Sequence, residues 1–125
     1  MNVALWIATG LLAFVALMSG TIKTCTPQAK LAEAPGGQWT AGVSARAVKA
    51  LGLVEILAAV GLILPAVLDI APVLVPVTAL CWIALMIGAI ITHLRHRDGP
   101  VVVLNLIYLA LAVFIVVGRF GIAPF

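Results

Sequence analysis

Charge is what this sequence has least of. Only 9% of its 125 residues are Asp, Glu, Lys or Arg, against about 25% in an ordinary soluble domain. Cysteine is almost as scarce. Cys25 and Cys81 lie far apart and form no C-x-x-C pair, so the spacings of zinc sites and thiol-redox motifs are missing. Cys81 reads as a small buried hydrophobe and Cys25 as an interfacial thiol. There is no G-x-G-x-x-G, P-loop, H-E-x-x-H or G-x-S-x-G either, which removes the common nucleotide-binding, zinc-protease and hydrolase signatures. His93 and His96 stand three apart with no third ligand nearby, so no metal or haem site is expected. The formal net charge of +3 forms no basic stripe with interleaved aromatics, and this excludes nucleic acid as a partner.

What is abundant is apolar. Hydrophobic residues make up 65% of the chain, and a chain this small buries only about two-thirds of its surface. A lipid bilayer as partner resolves that excess. A helix needs about 20 apolar residues to cross the hydrocarbon core, and four stretches qualify: about 3–22, 45–67, 72–93 and 101–118. Backbone amides in lipid must pair internally, so each stretch is predicted to be a helix. The first begins Met1-Asn2, with no Lys or Arg, and no A-x-A site follows it. It therefore reads as a retained span and not a signal peptide. The expected fold is all-α, a single-domain integral membrane four-helix bundle with antiparallel up-down topology.

Local chemistry marks the boundaries. Ser44 suits the N-cap of the second span, Pro72 the first turn of the third, and Asp98-Gly99-Pro100 a turn. The first loop, Lys23 to about Val43, is the long one. Thr26-Pro27 predicts a short interfacial helix over Gln28 to Glu33, Pro35-Gly36-Gly37 breaks the chain, and Trp39 suits the headgroup level. Lys23, Lys30, Arg46, Lys49, Arg95 and Arg97 gather on one side of the membrane, against Arg119 on the other. The excess of positive charge predicts that the first side is cytoplasmic and that both termini are extracytoplasmic.

Ionisable residues inside a span carry the functional reading, because lipid-exposed charge costs about 2.5–3.5 kcal/mol. Glu55 lies inside the second span, with Gly52, Ala58 and Ala59 on its face. Small residues mark a helix-packing face, so its carboxylate is expected to point inward and to need a partner. Lys23, His93 and Asn105 fall in the same half of the bilayer, one from each remaining helix. Tyr108 shares the face of Asn105. Trp82, Met86 and His93 share a face of the third span. The opposite half offers almost nothing comparable. These seven residues are the ligand-pocket candidates, with Glu55 central and Lys23 either pairing with it or snorkelling to the headgroups.

The motifs Ser19-Gly20-Thr21-Ile22-Lys23, Leu51-Gly52-Leu53-Val54-Glu55, Gly61-Leu62-Ile63-Leu64-Pro65, Ile91-Thr92-His93-Leu94-Arg95 and Asn105-Leu106 together resemble the DoxX-like family of small bacterial four-helix membrane proteins. The resemblance covers nearly the whole chain. It implies a bacterial cytoplasmic membrane location and carries the family's polar positions onto Lys23, Glu55, His93 and Asn105. The wider superfamily includes a subunit associated with thiosulfate:quinone oxidoreduction and members linked to thiol or redox stress. The implied function is binding of a small lipophilic, quinone-like molecule beside a membrane oxidoreductase partner. No resident cofactor is evident. Two alternatives stand beside it: a structural or chaperone-like partner protein with a Lys–Glu pair fixing the bundle, and a small-solute or proton carrier acting as a homo-oligomer.

Overall fold

Lipid offers backbone amides no partners, and each apolar stretch closes its hydrogen bonds on itself. The computed structural model describes residues 1–125. Its elements in chain order are α1 (Asn2–Cys25), a short α2 (Gln28–Glu33), a 3-10 turn (Gln38–Gly42), α3 (Ala45–Val67), α4 (Leu74–Arg95), α5 (Gly99–Val117) and a π-helical turn (Gly118–Ile122). The four long helices are membrane spans by length and composition. Helices of 22–24 residues reach about 33–36 Å at 1.5 Å per residue, enough for the hydrocarbon core. They pack antiparallel in the ring α1–α3–α4–α5–α1.

Each end has a local cause. Ser44 Oγ accepts from the Ala47 amide and caps α3, as its sequence predicts. α3 and α4 both stop in Schellman motifs: Ile70 N–H donates to Pro65 O, and Asp98 N–H to His93 O. The left-handed positions are filled by Asp69 (φ 54°) and Arg97 (φ 54°), each bearing the strain that glycine would avoid. α4 begins two residues later than expected. Pro72 lies in the preceding turn, where its carbonyl accepts from Val75 N–H, and Pro76 occupies the first helical turn, where a missing amide costs little.

The core holds Leu5, Leu12, Leu62, Val75 and Ile115, filled in by Ala8, Ala16, Ala79 and Ala112. Alanine and glycine let the backbones come close. A Cβ on Gly20 would sit 2.5 Å from Gly52 O, and one on Gly52 would sit 2.8 Å from Gly20 O. That mutual contact welds α1 to α3. The outward faces carry Leu, Ile, Val and Phe in numbers no aqueous surface tolerates, Leu57, Val3 and Phe14 among them, so lipid must cover them. Cys81 is exposed on this outer face, contrary to its reading as a buried residue. Position on the helix decides, since Trp82 beside it takes the inward place.

Candidate functional site

Glu55 sits where the α1–α3 weld ends. Gly20 and Gly52 draw the two helices together, and the close approach delivers Lys23 to Glu55. Lys23 Nζ lies 3.1 Å from Glu55 Oε1 and 3.2 Å from Oε2, and also donates to Ser19 Oγ at 2.6 Å. The carboxylate is 5% exposed and the lysine 18%. Lys23 therefore pairs and does not snorkel. Lys49, on another face of α3, reaches across to Thr24 O at 3.0 Å.

The pair forms one wall of a cavity of about 760 Å³, whose lining comes from all four long helices and from the first loop. All seven candidates, Lys23, Glu55, Trp82, Met86, His93, Asn105 and Tyr108, line it. Glu55, Trp82, Met86, His93 and Asn105 are buried. Most of the lining is hydrophobic, so its few polar groups act in a medium where each counts for more than in water. Trp82 Nε1 and Asn105 Nδ2 are buried donors without a partner, a costly condition in a span.

Three contributors went unread in the sequence. Trp39, expected at the headgroup level, also meets the His93 imidazole edge-on, with ring centroids 6.5 Å apart. The first loop folds back as a roof. Gln28 Nε2 donates to Thr40 O and to Val43 O, which ties α2 to the 3-10 turn and puts Leu31, Trp39 and Thr40 on the cavity. Asp98 was read only as a turn. The Schellman motif that ends α4 carries its carboxylate to 3.8 Å from His93 Nδ1, while its side chain makes no capping bond to α5. Ser19, the third, accepts from Lys23 Nζ and so helps to hold the ammonium beside Glu55.

The opposite end of the bundle, where the sequence offers almost nothing comparable, holds one buried charged side chain. Arg119 is buried, 4% exposed, and donates to Asn2 Oδ1 at 2.7 Å and Ala123 O at 3.0 Å. Its guanidinium stacks on Phe125 at 3.9 Å and lies 5.9 Å from Trp6. The π-helical turn after α5 rotates Arg119 inward, which a tail reading does not foresee. No group of three or more metal-ligating side chains gathers anywhere in the structure.

The chain matches the DoxX-like family over residues 7–115, most of its length, and belongs to that family. No curated protein and no solved structure matches it.

Proposed function

We propose, from the premise of a DoxX-like membrane protein with a roofed intramembrane cavity, that the chain binds a small lipophilic molecule of quinone type. Its role is accessory to the redox chemistry of a membrane oxidoreductase. The observation that carries the reading is the cavity itself: four helices each bring a polar side chain to one apolar chamber. Glu55 uses only Lys23 as a donor, so its carboxylate retains lone pairs for a ligand hydroxyl. Asn105 and His93 orient the ligand, and Trp82, Met86 and Tyr108 supply contact area. The loop-one end faces the cytoplasm on this reading, with both termini outside.

The test is quenching of the cavity tryptophans, Trp39 and Trp82, by a short-chain benzoquinol, whose hydroxyl can donate to Glu55, added to purified protein in nanodiscs. A hydrogen bond to a charged group contributes about 1.5–3 kcal/mol, so Glu55→Gln should weaken binding about tenfold or more with helix content retained. Unchanged binding by a folded Glu55→Gln protein overturns the assignment.

A second reading has one observation of its own. The Lys23–Glu55 pair adjoins the Gly20–Gly52 contact, which suits a device that fixes the register of α1 on α3. On that reading a matched apolar replacement of both residues keeps fold and cellular role alike.

A further inference from the structure

The cavity does not end at the bundle axis. On α1 its lining runs through Met18 and Ile22, and on α5 through Leu104. These three side chains are nonetheless 46%, 47% and 47% exposed. Each therefore faces the chamber on one side and the lipid on the other, so the wall here is a single side chain thick. At the far end the same two helices are closed tight. Gly118 has no room for a Cβ against the Leu5 side chain, Arg119 bonds Asn2, and Trp6 packs edge-on against Phe125 with centroids 5.9 Å apart. α1 and α5 are thus latched at one end, while at the other both contribute to the cavity lining.

We propose that the seam between α1 and α5 is a lateral portal, and that the occupant is a single-headed amphiphile reaching the cavity from the bilayer. The proposal rests on the ligand-binding reading above and names its route and class. The head lies among Glu55, Asn105 and Trp82. Glu55 offers unused acceptor capacity, and the two buried donors Trp82 Nε1 and Asn105 Nδ2 lack acceptors, so a head that both donates and accepts, such as a hydroxyl or phenol, completes all three. The aliphatic tail passes between Met18, Ile22 and Leu104 into the leaflet. Among these lips Met18 is unbranched and flexible and can move aside at little cost. The opposite flank of the cavity, on α4, is bordered by Ala84 and Gly88. A Cβ on Gly88 would meet nothing within 4 Å, which makes that position a control for added bulk.

The experiment compares two probes sharing one benzoquinol head, with and without a decyl tail, by tryptophan quenching in nanodiscs and with correction for partition into lipid. In the wild-type protein the tailed probe should bind at least tenfold more tightly. Met18→Phe with Leu104→Phe should abolish that gain and leave binding of the tail-less probe within twofold. Gly88→Leu should alter neither. If the tail-less probe does not bind the wild type at all, the ligand-binding reading itself fails. If it binds and the α1–α5 variant keeps the full tail gain, the portal fails alone. Loss of the gain in Gly88→Leu instead moves the route to the α4 flank and overturns the proposal.

Discussion

Replacing Lys23 and Glu55 by methionine, singly and together, tests whether their contact is energetic or merely geometric. Glu55 accepts hydrogen bonds from Lys23 Nζ and from nothing else. Removing the lysine leaves a carboxylate 5% exposed without a donor. Breaking one half of a buried pair costs about 3–5 kcal/mol, in line with about 2.5–3.5 kcal/mol for an unpaired charge within a span. Lys23 is 18% exposed, so the pair is not fully desolvated and Lys23→Met belongs near 3 kcal/mol, about the bottom of that range. Glu55→Met costs less, about 2 kcal/mol, because the stranded ammonium keeps Ser19 Oγ at 2.6 Å and can extend toward the headgroups. The double replacement removes both charges and fills similar volume, so its cost should fall to about 1 kcal/mol or below. The coupling between the sites is then about 4 kcal/mol, well outside the roughly 0.5 kcal/mol scatter of independent sites. Equilibrium unfolding in mixed micelles, followed by far-ultraviolet circular dichroism, measures all three. A double variant as damaged as the sum of the singles would refute the pairing.

Other perturbations probe other parts of the structure. Gly20→Ala must push Gly52 O away from 2.5 Å and should destabilise by about 1–3 kcal/mol. Gly10→Ala, with nothing within 4 Å, should be neutral or stabilising by up to about 1 kcal/mol in the same unfolding assay. Arg119→Met removes a buried charge of which two nitrogens lack partners, so it should cost less than about 1 kcal/mol, and a loss above about 3 kcal/mol on unfolding would refute that. A reporter fused to the C-terminus and active only outside the cytoplasm should be active, and activity of a cytoplasm-only reporter at the same place would reverse the orientation.

The spans and the inward turn of Glu55 were legible because both follow from periodicity and cost. A charge in lipid must face the bundle, and Gly52, Ala58 and Ala59 mark which face that is. Trp39 and Asp98 were not legible for an equally physical reason. Trp39 reaches His93 only because Gln28 bonds the carbonyls of Thr40 and Val43 across the loop, and a side-chain-to-backbone tie leaves no repeat in the sequence. Asp98 is aimed by a left-handed Arg97, where glycine is the usual signal. Arg119 was missed because the register changes after α5: a π turn holds an extra residue and shifts the inward face.

The placement of close helix contacts gives a reason why the bundle holds a cavity at all. Three of the four seams have a point where a small residue admits the neighbour's atoms: Gly20 with Gly52 between α1 and α3, Gly61 against Thr78 between α3 and α4, and Gly118, in the π-helical turn that follows α5, against Leu5 of α1. The last two lie toward the end carrying the α3–α4 turn and the C-terminal segment. Only the first lies at the loop-one end. There α1 and α3 are drawn together, while Val15 and Met18 of α1 and Leu104 and Tyr108 of α5, all larger side chains, line the cavity. Helices pinned close by glycine at one end and carrying larger side chains at the other leave room between them for the chamber. Loop one then roofs it instead of leaving it open to water. If that reasoning holds, Trp39→Ala should open the chamber without loosening the bundle. Quenching of Trp82 by aqueous iodide should rise severalfold in Trp39→Ala while the unfolding free energy changes by less than about 1 kcal/mol, since Trp39 is only partly buried and lies outside the helix contacts. Unchanged quenching would mean that the roof is not what excludes water.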